Sequence, residues 1–200
     1  MKKFELTDEF VTNVFGKKLF RIKALVAFGN VEKGELGGFI EKEDNLSHGG
    51  NAWVSGNAQV YGNAQVFGNA WVSGNAWVFG DAWVSGNAQV YGDARVSGNA
   101  QVYGNAQVFG NAQVFGNADY AVVAGFGRYF RTTTFFRCKD KILRVQCGCF
   151  YGDLAQFREI VKKTHGDSKY AKEYLAIADL MELHFSDKCG GEQMNDGKIY

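Results

Sequence analysis

GNAWVSGNAQVYGNAQVF, residues 50–67, states one six-residue phrase three times. It runs on as GNAWVS, GNAWVF, GDAWVS, GNAQVY, GDARVS, GNAQVY, GNAQVF and GNAQVF, making eleven hexads from Gly50 to Phe115; a frayed twelfth unit, Gly116 to Ala121, follows. Six residues are too few for a helical repeat, and the Gly-every-third pattern of collagen is missing. So is the acidic nonapeptide of calcium-binding β-rolls. Side chains alternate between the two faces of a strand, so Ala and Val, two apart, point the same way: Ala52 with Val54, Ala58 with Val60. Gly and Asn tolerate left-handed backbone angles and turn the corner between pairs. The pattern predicts three short strands per coil around a narrow Ala/Val interior, a triangular prism. Eleven hexads give about 3.7 coils, a stack roughly 18 Å tall at a strand spacing of about 4.8 Å. Asn or Asp at every corner predicts a hydrogen-bonded side-chain ladder.

The position between Ala and Val, and the one after Val, face outward. Ten of the eleven hexads place an aromatic residue there. Residues eighteen apart stack on one side, so Trp53 lies beneath Trp71; Gln59, Trp77, Arg95 and Gln113 share a second side, and Gln65, Trp83 and Gln101 the third. A monomer rarely leaves so much aromatic surface in water, and aromatic residues anchor protein interfaces. Two readings stand side by side. The rings pack on one another or beneath the terminal segments, or they form a docking grid. On the second reading Trp53, Trp71, Trp77, Trp83, Tyr61, Tyr91, Tyr103 and Phe79, with Arg95, are the candidate binding surface. Its occupant would be a second copy of the chain, another protein, or a ligand such as a sugar.

Acyl transfer and zinc chemistry on such coils both need imidazole, for proton transfer near neutral pH or for ligation. From Gly50 to Phe115 there is no His, Cys, Glu or Lys, and apart from tyrosines only Asp81, Asp93 and Arg95 ionise. No catalytic residue, metal or cofactor is expected on the prism. An acyltransferase-like enzyme survives as an alternative only with its base on a flank, at His48 or His165.

The stretch LGGFIEKEDNLSHGGNAWV (Leu36 to Val54), running into GNAxV units, resembles the YdcK-like hexapeptide proteins and similarly built phage or prophage proteins, over roughly residues 19–118. The resemblance implies a left-handed parallel β-helix; periodicity alone does not set the hand. Many proteins of the wider group are acyltransferases or zinc carbonic anhydrases, and the coils here depart from both by lacking histidine. Related β-helices are commonly trimers or dimers, so a homo-oligomer is expected. The phage-like resemblance alone suggests an anti-defence role, for example an anti-CRISPR inhibitor.

Residues 1–49 are expected to form an N-terminal β cap, since an open β-helix end exposes apolar core and unpaired backbone. Lys3–Leu6 and Leu19–Leu25 read as strands around a turn at Gly16-Lys17, and Leu36–Ile40 as the first irregular side of the coil. The solenoid is placed at 50–121, a small α+β domain at 122–186, and a polar tail at 187–200. In the α+β domain Thr132–Cys138 and Ile142–Cys147 alternate as strands around Lys139–Lys141. Asp153 and Gln156 form a capping box for a helix with apolar face Leu154, Phe157, Ile160 and Val161, stopped by Gly166. A second helix starts near Asp167 or Ser168 and buries Tyr170, Tyr174, Ala178, Met181 and Phe185.

Two clusters there invite sharper readings. Cys147 and Cys149 share a strand face and, with Cys138, His165, His184 or Cys189, suggest zinc; yet CxC is not the CxxC knuckle, and buried thiols are the plainer reading. Arg128, Arg131, Arg137, Lys139 and Lys141, interleaved with aromatics, suggest nucleic-acid contact, against the plainer reading of a solvated strand face. With 22 Lys+Arg against 21 Asp+Glu, no overall field points to nucleic acid or membrane. No apolar run is long enough to span a bilayer, and MKKFELTDEF lacks a secretory apolar core. The expectation is a non-enzymatic cytoplasmic binding or scaffold protein.

Overall fold

A hexad closes a prism only if its corner residue turns left-handed. In the computed structural model, which describes residues 1–186, every hexad glycine from Gly50 to Gly110 has φ between +63° and +74°. Each hexad contributes one two-residue strand, from β4 (Trp53–Val54) through β5 (Gln59–Val60) to β14 (Gln113–Val114). Residues eighteen apart pair in parallel: Trp53 with Trp71, Gln59 with Trp77, Gln65 with Trp83. The result is a β-solenoid of about four turns. Every Ala and Val of the hexads is fully buried, and burial of each Val alone is worth roughly 1.5–3 kcal/mol. The corner ladder forms as expected: Asn69 Nδ2 donates to Asn87 Oδ1 at 3.1 Å, and Asn87 Nδ2 to Asn105 Oδ1 at 3.0 Å.

One prism side continues directly into the N-terminal cap. β1 (Phe4–Thr12), β2 (Lys18–Ala24) and β3 (Leu36–Ile40) form an antiparallel sheet, and β3 then pairs in parallel with β5, Phe39 opposite Gln59. β1 runs six residues beyond the expected Leu6. Phe4, Ile22, Val31 and Leu46 plug the open end of the Ala/Val core. Asn45 caps exposed backbone, its Nδ2 donating to the Gly62 and Ala64 carbonyls at 3.1 and 2.8 Å.

The opposite end closes earlier than the sequence pattern suggests. Asn117–Asp119 is a 3-10 turn. Its side chains take the last coil's orphan donors, Asn117 Oδ1 from the Gln101 N–H at 2.8 Å and Asp119 Oδ2 from the Phe115 N–H at 3.0 Å. At Tyr120 the chain already enters β15 (Tyr120–Phe126), so Gly116–Ala121 is a cap and a strand start, not a twelfth hexad. β16 (Arg131–Arg137), β17 (Leu143–Cys147) and β18 (Phe150–Asp153) complete an antiparallel meander; β15 and β18 lack the strong alternation that would mark them in the sequence.

α1 (Leu154–His165) and α2 (Lys169–Ser186) cover one face of this sheet. The capping box is present in both directions, Gln156 N–H to Asp153 Oδ1 at 2.8 Å and Asp153 N–H to Gln156 Oε1 at 2.9 Å. Phe135, Val145, Phe157, Tyr174, Ala178 and Met181 make the domain core. Ile160 of α1 and Tyr170 of α2, expected inside, are exposed at the edges of their helices' buried faces; Tyr174, Ala178, Met181 and Phe185 are buried as expected, with Ala171 and Ile177 beside them. The other sheet face closes the prism. Phe136 and Cys138 join the prism core, and Thr134 Oγ1 accepts the Gln107 N–H at 3.0 Å. The tail 187–200, Cys189 included, lies outside the described residues. Among the described residues no helix is long and apolar enough to cross a membrane.

Candidate functional site

The three prism sides carry similar aromatic ladders, and the terminal segments cover them unequally. On the side of Trp53, Trp71, Gln89 and Gln107, Trp53 is 0% exposed. Phe28 stands edge-on against its ring, centroids 5.4 Å apart. Lys3 reaches under the same loop, its Nζ donating to the Ala52 carbonyl at 2.7 Å and lying 4.7 Å from the Phe28 ring centre. Burial pushes the Lys3 ammonium down to about 8. Trp53 is therefore core, a correction to its place in the docking grid, and the cause is a segment more than twenty residues away in sequence. Trp71 is half-buried with its indole N–H donated to Ser55 Oγ at 3.1 Å. Tyr91 is half-buried, stacked on Phe109 at 4.8 Å, and Phe109 meets Tyr151 of β18.

On the side of Gln59, Trp77, Arg95 and Gln113, Tyr61 is only 4% exposed and belongs to a small cluster with Leu19 and Phe39. It stacks on Phe79 at 5.1 Å, nearly parallel. Burial raises its phenol pKa. Tyr61 is the second correction, covered because β1–β2 lean over this side. Arg95 lays its guanidinium 4.6 Å from the half-buried Trp77 ring centre.

The third side stays open. Trp83 is 44% exposed and Tyr103 61%. Phe67 meets Trp83 edge-on at 6.1 Å, and Gln65 and Gln101 flank them on the surface. Asp81 is the one ionised group in its three hexads, 62–67, 80–85 and 98–103, and it accepts from Asn63 Nδ2 at 3.0 Å. Tyr120 borders it from β15, its hydroxyl donating to the Gln101 carbonyl. Burial pushes that phenol up to about 12, and no sequence pattern marks the residue. At the other end a groove of about 520 Å³ opens between Phe67, Gln65 and the cap residues Lys42 to His48.

His48 is built into the cap. Its Nδ1 accepts the Lys3 N–H at 3.1 Å, Nε2 lies 3.1 Å from Glu43, and the ring stacks on Phe4 at 4.3 Å. His165 ends α1 against the Tyr174 and Tyr170 rings. The two histidines thus belong to opposite ends of the chain's fold and share no site.

The five basic candidates do not form one surface. Arg128 and Arg131 sit at the β15–β16 turn. Arg137 points back, donating to the Phe185 carbonyl at 2.6 Å and lying 3.9 Å from Asp119. The Lys139 N–H is bonded to Asn111 of the last coil at 3.1 Å, with Lys141 in the same hairpin turn. The seven residues of β16 separate the two groups by roughly 20 Å. Cys147 and Cys149 do not share a strand either: Cys147 ends β17, taking a hydrogen bond from Thr133 Oγ1 at 3.2 Å, and Cys149 is exposed in the turn that follows. Cys138 is buried at the far end, where burial pushes its thiol up to about 11. Among the described residues no three His, Cys, Asp or Glu side chains group as a metal site requires.

No curated protein matches the chain. A family model described as the YdcK beta solenoid repeat matches residues 58–74, 64–80, 88–104 and 100–116. Those segments lie between the second hexad and the end of the prism, and over them the chain is similar to the YdcK β-solenoid repeat.

Proposed function

We propose that this chain is a non-enzymatic binding scaffold that works by surface complementarity, with the open prism side of Phe67, Trp83 and Tyr103 as its docking surface. One observation carries the reading. The terminal segments bury Trp53 and Tyr61 but leave Trp83 and Tyr103, on identical scaffolding, in water. Large aromatic side chains held on a rigid ladder are what interface centres use, and their ordering has already been met by the fold rather than by binding.

The occupant we assign first is a second copy of the chain. A nearly uncharged flat side is self-complementary without like-charge repulsion, as a two-fold interface requires. The winding is read as left-handed and the setting as phage or prophage, in a host cytoplasm, on the resemblance of Leu36–Val54 and the GNAxV units. In that setting the same surface would occlude a host defence protein. Sedimentation of the wild type and of Trp83→Ala/Tyr103→Ala tests the docking surface: loss of the oligomer in the variant supports it, and a monomeric wild type rejects self-docking. Restored CRISPR interference in cells expressing the double variant, against blocked interference with wild type, tests the anti-defence extension; equal interference in both rejects it.

A further inference from the structure

The β15–β16 turn also holds aromatics in water, and it differs from the open prism side in charge. Tyr129 is 63% exposed and Phe130 73%. Phe130 holds φ at +51°, a region that a bulky side chain rarely adopts. The turn is nonetheless anchored. The Gly127 N–H donates to Glu173 Oε2 at 2.9 Å, and a Cβ at Gly127 would strike the Tyr174 phenol of α2.

Arg128 and Arg131 flank these rings and stand 5.5 and 5.1 Å from the Tyr129 ring centre. The arginines that form ion pairs among the described residues are Arg21, Arg137, Arg144 and Arg158, so these two keep their charge for an outside partner. The end of α1 and start of α2 lie beside this turn and add Lys162, Lys163, Lys169 and Lys172, of which Lys169 is paired with Glu173 at 3.5 Å. Against these six cations stand two carboxylates, Asp167 and Glu173, on a chain whose net charge is +1. Behind the turn a pocket of about 180 Å³ is walled by Tyr129, Phe150, Phe157 and Tyr174, with Arg128 and Arg131 at its rim.

We propose that this tip binds single-stranded nucleic acid, with bases stacked on Tyr129 and Phe130 and phosphates held by Arg128, Arg131 and the α1–α2 lysines. The chemistry selects that ligand. Two adjacent exposed rings flanked by arginines match a strand whose bases are free to stack and whose phosphates run alongside. A duplex hides its base faces and leaves the rings without a role. The site is independent of the prism docking surface.

Fluorescence anisotropy of the full chain with a labelled oligo-dT and a labelled oligo-U tests it, the two probes separating DNA from RNA. The expected result is binding of at least one probe, weakening linearly with the logarithm of salt. Tyr129→Ala/Phe130→Gly should weaken it by about tenfold or more; glycine is chosen at 130 because the positive φ suits it. Arg128→Gln/Arg131→Gln should reduce the salt slope by about 0.7 for each phosphate no longer neutralised. Lys139→Gln/Lys141→Gln, at the far end of the sheet, should leave binding unchanged. Absence of binding to both probes overturns the proposal. So does tighter binding to duplex, wild-type affinity in the aromatic variant, or capture by anionic vesicles in place of the oligonucleotides.

Discussion

The ten residues AWVSGNAQVY occur twice, at 52–61 and at 82–91. Both copies form the same rungs, with Ala and Val fully buried and Gly at positive φ. Their aromatic residues nevertheless part company. Trp53 and Tyr61 are inside, whereas Trp83 is open and Tyr91 half-open. The difference comes from what lies over them: Phe28, Lys3 and the β1–β2 hairpin on the first copy, and on the second the neighbouring rungs' rings, Phe67 beside Trp83 and Phe109 on Tyr91, which leave Trp83 open. Local sequence sets the rung, and sequence-distant cover sets whether its outer side chain is core or docking surface.

The largest effect expected from this contrast is at Trp53. Trp53→Ala should cost about 3–5 kcal/mol, since it leaves a large cavity under Phe28, and urea unfolding measures it. The same change at Trp83, measured at concentrations where the chain is monomeric, should cost only about 0.5–1.5 kcal/mol, the loss of its edge-on contact with Phe67. Equal costs at the two sites would break the comparison.

Stacking between coils is tested next. Gly86→Ala places a Cβ 2.9 Å from the Gly104 backbone nitrogen, at φ +67°. Gly104→Ala meets nothing within 4 Å at φ +69°. The left-handed backbone alone costs about 1–2 kcal/mol; Gly86→Ala should cost about 1–3 kcal/mol more for the clash. Matching midpoints for the two variants would deny that the coils pack this closely.

The cover also titrates. Burial lowers the Lys3 pKa to about 8 in the folded chain, from an unfolded value near 10.5. Between those values the unfolded state binds more protons, so stability rises with pH. The gain from pH 8 to 10.5 is about 1–3 kcal/mol, the hydrogen bonds of Lys3 to Ala52 and Gly50 opposing the desolvation. Lys3→Met should remove this increment; a difference between the two proteins that stays constant across that range would show Lys3 ionising as in water.

How much could be read from the chain follows the same division. Ala52 to Val114, the corner ladder and the three ladders of outward side chains are dictated by a period of six, because each hexad meets only copies of itself. The Asp153–Gln156 cap was legible for a like reason: its partners stand three residues apart. Cover on Trp53 and Tyr61 was not legible, since Phe28 and Leu19 carry no periodic mark that points to a particular coil. The split of Arg128 and Arg131 from Arg137, Lys139 and Lys141 needed the extent of β16. Tyr120 begins a strand apolar almost throughout, YAVVAGF, which shows no alternation, and Phe150 begins one of only four residues.

Sedimentation velocity across a concentration series, on the wild type and on Trp83→Ala/Tyr103→Ala, addresses the docking surface most directly. The wild type should sediment as an oligomer, and the double variant as a monomer that still unfolds cooperatively, its midpoint lowered only by the lost association. A wild type that stays monomeric, or a variant that assembles as the wild type does, would contradict the assignment of the open prism side.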